Sequence, residues 1–175
     1  MREYEFTLVF GLAAVEAAPD DYVELLAGHG CDDAIVGIGR PGRVALGFSR
    51  ARGSAREAVL SALADVKRAL PAAVLLEAKP DFVGVTEIAD LVGRSRQNIR
   101  KLLVNCRAPA PAPVHDGGSP LWHLAHILDW LRDEKRYVID AGLGEVAHTT
   151  MQLNVAVDRR NVDDLAQKEI ESLLA

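Results

Sequence analysis

The sequence predicts a mixed α+β chain in three segments: residues 1–80, 81–135 and 136–175. Three observations carry this reading. Short runs rich in aromatic and β-branched residues recur in the first segment, separated by stretches with helical spacing of apolar residues. Lys79-Pro80-Asp81 then breaks the pattern. Beyond it the periodicity is helical, apart from one Pro- and Gly-rich interruption.

The first segment reads element by element. Tyr4–Phe10 (YEFTLVF) is a predicted strand. Pro19-Asp20-Asp21 opens a helix, with acids where the helix dipole favours them; Tyr22, Leu25 and Leu26 form its apolar stripe, and Gly28 or Gly30 ends it. Asp33–Gly39 and Arg43–Ser49 are two further strands joined at Arg40-Pro41-Gly42, a turn because Pro fixes φ and Gly admits positive φ. Ser54, with Glu57 three residues on, caps the next helix, whose Val59, Leu60, Leu63, Val66 and Leu70 share a face until Pro71 stops it. Ala73–Ala78 is a fourth strand. The order β-α-β-β-α-β is the ferredoxin-like arrangement, two helices over one face of an antiparallel sheet, and serves many functions.

The tail has Leu143, Val146, Ala147, Thr150, Met151 and Asn154 on one helical face. Asn161 or Asp163 restarts a helix with Leu165, Ala166, Ile170, Leu173 and Leu174 as apolar positions. Too short to bury a core alone, the tail is expected to pack on the other segments or on another chain.

Composition narrows the function classes. Hydrophobic residues make up 49% and charged residues 26% of the 175 residues, which fits a folded chain. No apolar run approaches the roughly 20 residues of a membrane helix, and Met1–Glu5 carries two acids and no signal-like apolar run. The two cysteines, 75 positions apart, give no disulfide framework. These features predict a cytoplasmic protein without a membrane partner.

Net charge is −5, yet its distribution matters more than its sum. Residues 1–80 hold nine Lys/Arg against eleven Asp/Glu, and residues 136–175 hold four against seven. Between Gly93 and Arg107 lie five basic residues, Arg94, Arg96, Arg100, Lys101 and Arg107, and no acid. Screening confines electrostatics to about 8–10 Å, so this stretch can attract phosphate within an acidic chain.

That stretch belongs to a motif. In Val85–Leu103 (VTEIADLVGRSRQNIRKLL), Thr86 is predicted to cap a short helix with Ile88, Leu91 and Val92 inward. Ala89 is small where a second helix must cross, and Gly93 supplies a left-handed turn. Ser95 caps a second helix that buries Ile99, Leu102 and Leu103. Arg94, Arg96, Gln97, Asn98, Arg100 and Lys101 then stay outside. This is a helix-turn-helix layout, whose second helix enters the major groove. Arg pairs there with guanine, and Gln or Asn with adenine, each for about 1–3 kcal/mol of discrimination. The competing reading is an ordinary helical hairpin with a solvated charged face.

Residues of about 82–132 resemble the helix-turn-helix of bacterial regulators of the MerR and AlpA/excisionase type. Val85–Leu102 carries the resemblance, followed by Pro113–Trp122, which looks like a two-stranded wing, and His123–Leu131, which looks like the helix after it. The wing has no Arg or Lys at its tip. The resemblance implies double-stranded DNA as partner and says nothing of residues 1–80.

Other signals are weaker. His123 and His126 with Cys106 lack the further ligands of a zinc site. Gly37–Gly42 has no helix after it to cradle a phosphate, and neither cysteine has a His/Asp arrangement. Trp122 and Trp130 read as core. No catalytic residue, metal or cofactor is therefore expected, and no enzyme. The expected function is a sequence-specific DNA-binding transcriptional regulator, a homodimeric repressor or antitoxin-like autoregulator. Ser95, Arg96, Gln97, Asn98, Arg100 and Lys101 would meet the groove, with Thr86 and Arg94 at phosphate. Residues 1–80 and the tail would serve dimerisation or a protein partner. The alternatives are an excisionase-like architectural factor and a protein-interaction adaptor whose helix-turn-helix does not bind DNA.

Overall fold

Strand β1 (Arg2–Gly11) alternates as a half-buried strand must: Tyr4, Phe6, Leu8 and Phe10 point into a core, while Glu3 and Glu5 face out. In this computed structural model, residues 1–12, 19–104 and 109–174 are described. After β1 come α1 (Pro19–Ala27), β2 (Ala34–Arg40), β3 (Arg43–Arg52), α2 (Ala55–Ala69) and β4 (Val74–Lys79). Then follow β5 (Phe82–Val83), α3 (Val85–Leu91), α4 (Arg96–Val104), β6 (Trp122–His123), α5 (Leu124–Asp133), α6 (Ala141–Arg159) and α7 (Asp164–Leu174). The chain is mixed α+β, with seven helices among the described residues and antiparallel pairing in both sheets. None of the described helices is long and apolar enough to cross a membrane.

The larger sheet has the order β2-β3-β1-β4. Its inward residues, with the Phe6 and Phe48 rings stacked 5.3 Å apart, pack against Leu26 of α1 and Val59, Ala62 and Val66 of α2. The predicted cap and turn fall where expected, while Leu25 and Leu60, predicted on the apolar faces of α1 and α2, are exposed at the rims of those faces. The Ser54 side chain accepts the Glu57 amide at 3.2 Å, and Gly42 takes φ 74° in the β2–β3 turn. Arg50 continues the inward parity of Val44, Leu46 and Phe48. Its guanidinium, only 2% exposed, donates to both oxygens of Asp33, to Asp65, to Ser61 Oγ and to the Gly30 carbonyl. A buried charge survives only when paired this completely.

A second core gathers Val83, Ile88, Ala89, Ile99, Trp122, Ile127, Leu128 and Leu131. Helix α6 joins the two: Val146 lies in the first core and Ala147 in the second. It also guards the edge of the larger sheet. The Asn154 side chain behaves as a peptide unit toward β4, accepting from Ala78 N at 2.7 Å and donating to Ala78 O at 2.8 Å. Edge backbone left unpaired would be open to any other strand. The predicted inward face of this helix is observed at Val146, Ala147, Thr150 and Asn154. Helix α7 differs: Leu165, Ile170, Leu173 and Leu174 are all exposed.

Candidate nucleic-acid interface

Helix α3 starts one residue before Thr86. Gly84 is its cap residue, and Glu87 reaches back to accept the Gly84 amide at 2.6 Å. Thr86 therefore lies inside the first turn, exposed, and caps nothing, which corrects the predicted start. The reason is long-range: Phe82 and Val83 pair with His123 and Trp122, and this two-residue strand fixes where the chain enters the helix. Leu91, predicted inward, is also 41% exposed; Ile88 and Ala89 do the burying.

The turn forms as predicted. Gly93 sits at φ 64°, and Arg94 N donates to Ala89 O at 2.8 Å. Ser95 Oγ accepts Asn98 N at 3.2 Å and so caps α4. Ile99 is buried beneath α4, and Leu102 and Leu103 are half-buried. Arg96, Gln97, Asn98, Arg100 and Lys101 are exposed, and none of their side chains has an ion-pair or hydrogen-bond partner among the described residues. Arg94 is exposed as well, but its guanidinium stacks over the Tyr137 ring at 5.4 Å, held by the segment between α5 and α6. The predicted basic residue Arg107 lies outside the described residues, as do Cys106 and Ala108.

Residues 113–122 form less of a wing than predicted. Val114 N donates to Leu121 O at 2.8 Å and Leu121 N to His115 O at 3.0 Å, giving a single bridge between His115 and Leu121. Trp122 is drawn instead into pairing with β5, and its indole donates to Pro111 O at 3.0 Å. A cleft of about 870 Å³ separates this loop from α4; Thr86, Arg96, Arg100, Leu103, Asp116 and Trp122 are among its walls. The fold thus brings Thr86 to one cleft with Arg96 and Arg100, while Arg94 stands apart.

Among the described residues, two histidine–carboxylate pairs escaped sequence reasoning. His123 Nδ1 meets Asp81 Oδ1 at 2.6 Å, and the other oxygen of this buried carboxylate accepts from Asn154 Nδ2 at 2.7 Å. This links the start of β5, the cap of α5 and the middle of α6. His148 Nε2 meets Asp129 at 3.0 Å, across α6 and α5. The Asp81 and His123 positions are 42 residues apart, and no local pattern announces such a pair. Among the described residues, no hydrogen bond joins either imidazole to a hydroxyl or thiol, and no three metal-ligating side chains cluster. Cys31 is buried, and burial, with Asp65 next, pushes its thiol up to about 11, far from a thiolate at neutral pH. The arrangement positions helices and offers a polar, cationic helix face to a ligand.

In comparisons with known proteins, no family model, curated protein or solved structure matches this chain.

Proposed function

We propose that residues 81–135 are a winged helix-turn-helix that binds double-stranded DNA, and that the protein is a homodimeric transcriptional regulator rather than an enzyme. Residues 1–80 are read as a ferredoxin-like unit that serves assembly. The observation that carries the reading is α4 itself: five adjacent-face polar side chains, three of them cationic, exposed and unpaired above a buried Ile99. Elsewhere Arg132 pairs with Asp129 and Asp133, and Arg159 with Glu171. Arg56 of α2 and Lys168 of α7 stand singly without an ion pair among the described residues, whereas α4 gathers three such cations. Charges left unpaired on one helix suit a polyanion, whose phosphates they neutralise with release of counterions. Gln97 and Asn98 in the first turn add the donors and acceptors that read base edges.

The test is binding of the full chain to duplexes selected from a random pool, followed by fluorescence anisotropy over a salt series. Affinity should fall steeply and log-linearly with salt. Arg96→Ala or Asn98→Ala should each relax preference at one or two base pairs, costing about 1–3 kcal/mol of discrimination. A chain that selects no duplex, or variants that bind as tightly and selectively as the parent, would refute the reading.

A further inference from the structure

The helices α1 and α2 cover one face of the larger sheet and leave the other open. On that open face Ile35 is 81% exposed, Val74 53% and Leu76 39%. The strand registers define which residues lie abreast there. One row runs Lys79, Thr7, Gly47, Ile35, and the next runs Glu77, Val9, Ala45, Gly37. Flanking them, Glu5 lies beside Ser49 at one end, and Gly11 beside Arg43 at the other.

These rows complement each other. Consider a two-fold axis in the plane of the face, crossing the strands between the two central rows. It exchanges the rows between two copies, face to face. Ile35, the most exposed large apolar side chain there, then lies over Gly37, which has none. Glu77 and Lys79, already an ion pair at 3.4 Å within one copy, lie over their counterparts, Thr7 lies over Val9, and Gly47 over Ala45. The same axis sets the Glu5–Ser49 row over the Gly11–Arg43 row, Glu5 over Gly11 and Ser49 over Arg43. Glu5 then lies one strand, about 4.8 Å, to the side of Arg43 and reaches it diagonally. Glu5 and Arg43 are both exposed and without an ion pair among the described residues. An axis along the strands would instead bring the Glu3 and Glu5 ends together, like charge on like.

We infer that a second copy of this chain docks on the open sheet face, antiparallel and face to face, with Ile35 entering the gap above Gly37 and Glu5 meeting Arg43. An interface built on a two-fold must be self-complementary, each contact occurring twice. The area suffices: four strands about 4.8 Å apart and about eight residues of about 3.3 Å give roughly 500 Å² per copy, or about 1,000 Å² in all, the threshold for a specific interface. This names the surface of the proposed homodimer and rests on that part of the reading alone, not on DNA binding.

The test is sedimentation of the full chain without DNA across micromolar concentrations. The parent should be a dimer. Gly37→Leu is tolerated within one copy, since a Cβ there meets only Ala45 at ordinary contact distances of 3.6 and 4.0 Å. It should nevertheless raise the dimer dissociation constant by about 10- to 100-fold, as overpacked contacts do. Glu5→Arg and Arg43→Glu should each weaken the dimer, and the two together should restore it. That recovery keeps the test decisive even if Gly37→Leu misfolds. A monomeric parent would overturn the inference. So would a dimer indifferent to all three changes but lost with Leu173→Glu on α7, and so would charge reversals that do not rescue one another. Duplex binding is scored separately, so its failure would leave this result intact.

Discussion

The two cores of this molecule differ in where they keep a cation. In the sheet unit a guanidinium is buried, Arg50 among Asp33, Asp65 and Ser61, while apolar Ile35 and Val74 stand in the open. In the helical unit no cation is buried around Ile88, Ile99 and Ile127; the buried carboxylate there, Asp81, is held by His123 and Asn154, and the cations of α4 stand outside. Charge turned inward is paired by its own chain and serves the fold. Charge turned outward without a partner is free to meet a ligand. The same logic applies to apolar surface, and it separates the residues that hold the molecule together from those available to others.

The sharpest way to break the contrast is at Arg50. Arg50→Met leaves Asp33 without its cation and Asp65 with Arg68 alone, and should destabilise the protein by about 3 kcal/mol in urea unfolding, the lower end for breaking a buried pair. An unchanged midpoint would mean the network is dispensable. Asn154→Leu comes next. It strips the Ala78 amide and carbonyl of their partner and takes one from Asp81, so about 2–3 kcal/mol should be lost. At Gly93 the effect is purely of backbone, because no atom lies within 4 Å of a Cβ built there. Gly93→Val should cost about 1–2 kcal/mol from φ 64° alone, and equal stability would place the strain elsewhere. Smallest is Arg100→Ala, expected within about 0.5 kcal/mol of the parent in stability. Its effect should appear only in duplex affinity; a stability loss as large as that at Gly93 would erase the distinction between the two cores.

What the sequence made legible was local. Runs of aromatic and β-branched residues marked β1 and β3, capping chemistry marked Ser54 and Ser95, and the need for positive φ marked Gly93, each decided within a few residues of chain. What it hid was decided at a distance. Phe82–Val83 is too short to show any period, and only its pairing with Trp122–His123 makes it a strand and moves the start of α3 away from Thr86. Leu91 fits the inward helical pattern, yet at the end of a seven-residue helix it is left 41% exposed. Arg50 carried a readable hint, its inward parity in β3, but the carboxylates that accept it come from beyond the strand. For α4 the exposed polar face was legible in full; the cleft beside it, and the stacking of Arg94 on Tyr137, were not.

Val146 and Ala147 are successive residues of one helix, about 100° apart around its axis, and each belongs to a different core. The helix cannot leave one without uncovering the other. Heat should therefore be absorbed in one calorimetric transition rather than two, because losing either unit strips apolar surface from both. Occupancy is then shared as well. A ligand held only at α4 would, by mass action, raise the melting temperature of the sheet it never touches.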